Sequence, residues 1–149
     1  MAATEQHDEW DAIDEGQEPS RMRILLYSDD VRTRDAVMLA VGRRVAKGLP
    51  PVEWLQVATP AAAVAAVEAG GLDLLVLDGE TGKNGGLGLG RQFKDEIFGC
   101  PPVLALTGRP QDAWLASWSQ ADAVVSRPFD PIALQKAVAS LVRGGAVVG

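Results

Sequence analysis

The chain is poor in the residues on which most metal and covalent enzymes rely. Among 149 residues it has one cysteine, Cys100, and one histidine, His7. A lone cysteine closes no internal disulfide and reads as a packed or loop residue rather than a redox centre. A lone histidine in an acidic terminal stretch leaves no Ser/His/Asp triad and no histidine metal site. No apolar run approaches the ~20 residues that cross a bilayer, and the N-terminus is acidic rather than basic and apolar. The expectation is a cytoplasmic chain with no membrane insertion of its own. The 47% apolar content over this length suits a single domain with a real core.

Basic residues are missing from positions 1–20, which hold seven acids: Glu5, Asp8, Glu9, Asp11, Asp14, Glu15 and Glu18. The net charge of −6 is therefore a property of this tail, because residues 21–149 carry 14 basic and 13 acidic side chains. No basic patch or basic helix is visible along the chain, so nucleic-acid binding is not expected. Low hydropathy and high charge predict disorder over 1–20. Trp10 and Ile13 lie three apart there and would share one face of a short helix, which makes Trp10 a candidate partner contact. The expected organisation is an acidic tail at 1–20, a folded body at 21–143 and a flexible end at 144–149.

From Arg21 onward, strand-like and helix-like segments alternate. Arg23–Tyr27, Val52–Val57, Leu72–Asp78, Pro102–Leu106 and Asp122–Ser126 read as strands. Val31–Lys47, Pro60–Ala69, a helix ending near Phe98, Asp112–Ala121 and Pro131–Arg143 read as helices. Thr59 caps the second of these, and Asp29 or Asp30 the first. Glycines between Gly82 and Gly90 predict a mobile loop before the third. Near-continuous apolar strands alternating with helices argue for a parallel sheet covered on both faces, in the order 2-1-3-4-5.

Ligands in such sheets meet the protein beyond the carboxyl ends of the strands. There the sequence places Ser28-Asp29-Asp30 after strand one, Asp78-Gly79-Glu80 at the end of strand three, Thr107-Gly108 after strand four and Arg127-Pro128 after strand five. Converging carboxylates favour a hard divalent cation, and a hydroxyl with a cation opposite suits a phosphoryl group. The glycine stretch is not G-x-G-x-x-G and lacks a P-loop lysine, so it does not read as a nucleotide loop. An enzymatic role with Asp78 as nucleophile lacks a general base other than neighbouring acids, and the chain is not expected to be an enzyme.

Residues 22–143 resemble the receiver domain of two-component response regulators, a flavodoxin-like fold of five strands and five helices. The segments that carry the resemblance are Arg23-Ile24-Leu25-Leu26-Tyr27-Ser28-Asp29-Asp30, Leu74-Leu75-Val76-Leu77-Asp78, Gly86-Leu87, Val103-Leu104-Ala105-Leu106-Thr107 and Arg127-Pro128-Phe129-Asp130-Pro131. The resemblance implies Asp78 as acceptor of a phosphoryl group from a histidine kinase, with Mg²⁺ bound by Asp29, Asp78 and the backbone carbonyl of Glu80. Thr107 and Arg127 would contact the phosphoryl group.

Four positions depart from that pattern: Ser28 where an acid is usual, Arg127 for a lysine, Val124 for a switch aromatic and Gly82 for a proline. Arginine is forked and bulkier than lysine, so this exchange is not conservative at a tight phosphate site.

With aromatics at only 5% of the chain, each tryptophan stands out. Trp114 aligns with a core-facing position and is expected to pack inward. Trp118 aligns with a solvent-facing position on the usual docking face and is the candidate anchor. No effector domain is evident, so output is expected from the receiver surface or the tail. Tyr27-Ser28-Asp29, Leu77-Asp78-Gly79-Glu80, Leu106-Thr107-Gly108-Arg109-Pro110 and Trp114-Leu115-Ala116-Ser117-Trp118 are further similar to actinobacterial orphan receivers associated with type I NADH dehydrogenase. That resemblance implies docking as an accessory subunit on the respiratory complex, at the inner face of the membrane through protein contacts. The alternative is a phosphoryl-accepting switch in a histidine-kinase relay.

Overall fold

Strand runs that are apolar at every position are buried on both faces in the computed structural model, which describes residues 21–80 and 85–144. Five parallel strands, β1 (Met22–Tyr27), β2 (Val52–Val57), β3 (Leu74–Asp78), β4 (Val103–Thr107) and β5 (Ala123–Ser126), pair in the order β2-β1-β3-β4-β5. The helices are α1 (Val31–Val41), α2 (Pro60–Ala69), α3 (Gly86–Glu96), α4 (Ala113–Trp118) and α5 (Pro131–Val142), with a 3₁₀ turn at Pro110–Asp112. None of the described helices is long and apolar enough to cross a membrane. The acidic tail with Trp10, the loop residue Gly82 and residues 145–149 lie outside the described residues.

Side chains alternate across the sheet, so one strand feeds two cores. Ile24, Leu26, Leu74, Val76, Leu104 and Leu106 pack under α1 and α5 with Val37, Val41, Leu134 and Val138. Leu25, Tyr27, Leu75 and Leu77 face the other way, toward Ala63 and Val67 of α2 and Leu89 and Phe93 of α3. Caps fix where the helices start. Thr59 Oγ1 accepts from the Ala62 N–H at 3.1 Å, and an Asp130 carboxylate oxygen from the Ala133 N–H at 2.8 Å.

Helix α1 is shorter than its apolar periodicity suggests. Gly42 takes φ 80° and its N–H bonds the Met38 carbonyl, ending the helix at Val41, while Val45 still reaches the core beyond it. Helix α3 begins earlier than expected, at Gly86, within the glycine stretch. Gly86 is buried there for a steric reason: a Cβ would lie 2.6 Å from the Asp78 carbonyl oxygen. Helix α3 thus starts in backbone contact with the end of β3. Trp114, expected inside, is instead 66% exposed. The 3₁₀ turn takes up Asp112, the expected start of that helix, and the helix ends at Trp118 rather than Ala121, leaving a six-residue α4.

Two alanine substitutions in α3 separate these effects. Gly88 meets nothing within 4 Å of a built Cβ, so Gly88→Ala is expected to raise stability by about 0.5–1 kcal/mol. Gly86→Ala forces backbone apart and is expected to lower it by about 1–3 kcal/mol. Urea unfolding midpoints check both, and equal shifts of the two variants would contradict the close approach.

Candidate functional site

Strand β3 ends in Asp78, buried at 2% exposure on the same side of the sheet as Val76. A carboxylate taken this far from water needs donors. The turn that follows supplies the first: the Glu80 N–H donates to Asp78 Oδ1 at 2.9 Å. Strand β1, paired in register with β3, supplies the second. Ser28, one residue past Tyr27 and fully buried, donates its hydroxyl to Asp78 Oδ2 at 2.8 Å. Ser28 Oγ in turn accepts from the Asp30 N–H at 3.1 Å, which fixes the direction of its proton.

The third partner arrives from β5. Arg127, joined to Pro128 by a cis peptide, brings Nη2 to 3.6 Å from Asp78 Oδ2. Its guanidinium is held on both sides, since Nη2 donates to Thr33 Oγ1 at 3.0 Å and the plane lies 4.9 Å from the Phe129 ring centroid. The planar fork of arginine makes both contacts at once, which a lysine ammonium has no geometry for.

Strand β4 places Thr107 beside this cluster, buried, with its hydroxyl 2.7 Å from Ser126 Oγ. The Glu80 side chain turns toward β4, where Oε2 accepts from the Gly108 N–H at 3.3 Å. Asp30 caps α1, and hydrogen bonds from the backbone and then the side chain of Arg32 hold its carboxyl below the usual range. Asp29, between them, is exposed. The fold therefore gathers Ser28, Asp78, Thr107 and Arg127 at one rim, as the loop positions predict, and leaves Asp29 facing solvent.

Pattern reading missed Thr33 and Arg34. Arg34 Nη1 donates to the Ser28 carbonyl at 2.6 Å and its Nε to Gln56 at 3.1 Å, clamping the chain as it leaves β1. Both residues sit in the first turn of α1, where a helix N-terminus above the strand ends is the only available cue.

This arrangement does not fit the Mg²⁺ ion implied by the family resemblance. Among the described residues no three acids, cysteines or histidines gather as a metal group. Each Asp78 oxygen already accepts a hydrogen bond, and the guanidinium would repel a second cation beside Oδ2. A seryl hydroxyl in place of an acid further lowers the negative charge that draws a divalent ion.

Elsewhere on the surface, Trp118 is 49% exposed, and Arg91 spans it with a guanidinium 4.9 Å from the ring and a bond to its carbonyl. Val124, at the switch-aromatic position, is partly exposed on edge strand β5. Burial pushes the half-buried Cys100 thiol up, which suits packing rather than redox chemistry.

No family model matches the chain. It is 50% identical over 125 residues to an uncharacterized response regulatory protein of Mycobacterium tuberculosis strain H37Rv, covering 84% of this chain and 94% of that one. Among solved structures it is similar to a LuxR-family two-component response regulator from Aurantimonas, with a TM-score of 0.71, 22% identity, and coverage of 85% of this chain and 89% of the other. A chemotaxis response regulator of Vibrio cholerae gives a TM-score of 0.64 at 19% identity, over 82% of this chain and 99% of its own. At these identities the two structures speak to fold alone.

Ser28 offers a direct check of how Asp78 is neutralised. Ser28→Ala removes a hydrogen bond to a buried charge and is expected to lower stability by about 1.5–3 kcal/mol, independent of Mg²⁺. Ser28→Asp sets two carboxylates together and is expected to be destabilised in metal-free buffer and rescued by Mg²⁺. Thermal melts with and without the ion measure both. A Ser28→Asp protein as stable as the parent without metal would refute the contact.

Proposed function

The chain belongs to the response-regulator family and is built as its receiver domain, and from that premise we propose that it acts by docking, with its acceptor carboxylate neutralised internally. The observation that carries this reading is the hold on Asp78. Its oxygens accept from Glu80 and Ser28, and a guanidinium held by Thr33 lies 3.6 Å from Oδ2. A receiver in this state presents one surface constantly instead of alternating between two, because no ligand biases a second conformation.

The docking element is the short helix α4 with the adjoining edge strand. Trp114 and Trp118 lie four apart on α4 and Val124 on edge strand β5, and all three are exposed. An aromatic anchor of this size contributes up to ~4–6 kcal/mol of burial before association costs. The partner proposed is the membrane-bound type I NADH dehydrogenase, on the strength of the family resemblance. It would hold this protein at the membrane's inner face without a membrane segment in the described residues. A phosphoryl-accepting role in a histidine-kinase relay is the second reading, favoured by the convergence of Asp78, Thr107 and Arg127 at the rim.

Affinity capture from native membranes with quantitative mass spectrometry tests the first reading. Dehydrogenase subunits are expected with the parent protein and with Asp78→Asn. Trp118→Ala is expected to reduce their recovery at least tenfold, a ~1.4 kcal/mol loss, while the melting temperature stays close to that of the parent. Capture that depends on Asp78, or that Trp118→Ala leaves unchanged, would contradict docking through α4 and favour the relay.

A further inference from the structure

Charge is distributed differently in space than along the chain. Between Ala36 and Val52, and from Pro131 to Gly149, there is no aspartate or glutamate, and the basic residues are Arg43, Arg44, Lys47, Lys136 and Arg143. The rest of residues 21–149 holds nine basic side chains against thirteen acidic ones. Folding brings the two base-only stretches together. Gln135 Nε2 donates from α5 to the carbonyls of Ala40 and Val41 at 2.9 and 3.3 Å, and Val45 packs into the same core as Leu134 and Val138.

A groove of about 310 Å³ runs between them, lined by Val45, Ala46, Ile132, Lys136, Ala139 and Arg143 among others. Its walls are mixed: Ile132 is 64% exposed, Lys136 and Arg143 line it and are exposed, and Arg43, Arg44 and Lys47, also exposed, flank the Val45-Ala46 wall in the chain. None of the five pairs with an acid among the described residues. The groove thus combines an apolar floor with an uncompensated cationic rim.

The chain outside the described residues supplies an occupant of matching chemistry. Positions 1–20 carry seven acids and no base, together with Trp10 and Ile13. They join the body at Arg21, which lines a second hollow with Met22, Leu49, Pro50, Asp73 and Val142. Leu49 follows the Arg43–Lys47 stretch and Val142 precedes Arg143, so the tail enters the fold beside the end of the basic groove. Trp10 is eleven residues from Arg21, a span that reaches ~36 Å when extended, about twice the ~18 Å length of α5.

We infer that the acidic segment Glu5–Glu18 docks intramolecularly in the groove between α5 and the 42–51 connection. Trp10 and Ile13 seat on the apolar floor, and the carboxylates face Lys136, Arg143 and the Arg43–Lys47 cluster. A short tether sets a millimolar effective concentration, so contacts too weak for a free peptide suffice. The ion pairs are exposed, so salt loosens the segment.

The test uses the full chain carrying Gln6→Cys and Cys100→Ser, spin-labelled at position 6, with paramagnetic broadening of backbone amide signals as the readout. Loss of signal is expected at Val45, Ala46 and along Ile132–Arg143, fading as salt rises and weakened by Trp10→Ala. The Lys136→Glu/Arg143→Glu double variant is expected to abolish it while the other amide positions stay native. Broadening spread evenly, centred on another face, or indifferent to the double reversal would overturn the proposal. A mixture of spin-labelled and nitrogen-15-labelled chains supplies the remaining arm. The same pattern between molecules would assign the groove to a second copy and overturn the intramolecular form.

Discussion

A carboxylate at the end of a buried strand must be answered by donors, and here the answer comes from Ser28 and Arg127. A charge moved out of water is tolerated only where hydrogen bonds or an opposite charge replace its hydration. Asp78 has the Glu80 N–H on one oxygen and the Ser28 hydroxyl on the other, with a guanidinium 3.6 Å away. The neighbouring residues fall into place around that need. Thr33 and Phe129 hold the guanidinium, the Asp30 N–H orients Ser28, and Arg34 ties down the β1 exit. A site built to attract Mg²⁺ would bring further carboxylates onto Asp78, whereas here a hydroxyl and a guanidinium adjoin it.

The sheet makes that balance precise in space. Parallel register between β1, β3 and β4 brings Ser28, Asp78 and Thr107 to the same rim, and leucines and valines buried on both sides leave the strands little freedom to shift. The Gly86 backbone rests against the Asp78 carbonyl, so the start of α3 and the Asp78–Glu80 turn are mechanically one unit. The rim and the basic groove are separate features: the first lies at the carboxyl ends of the strands, and the hollow beside Arg21 at the opposite, amino end of β1.

Leucine and valine runs made the five strands and their order readable, because burial on both faces removes polar residues from a strand altogether. Thr59 and Asp30 were legible as caps for a local reason, since a short polar side chain before a helix reaches its free N–H groups. Residues whose roles depend on distant neighbours were not legible. The pairing of Arg127 with Thr33 joins positions 94 apart, and a six-residue helix is too short for periodicity to tell which face carries Trp114. Apolar spacing carried α1 past Gly42 because Val45 belongs to the same core although it lies outside the helix. The basic groove was invisible along the chain, as its halves lie nearly ninety residues apart and meet only when α1 packs on α5.

Whether Asp78 is balanced by protein groups or awaits a divalent ion is decided most directly by calorimetric titration of the parent protein with Mg²⁺, set beside Asp78→Asn. Internal neutralisation predicts no saturable heat at millimolar Mg²⁺ and the same trace for both proteins. A one-to-one isotherm in the parent that Asp78→Asn abolishes would contradict it.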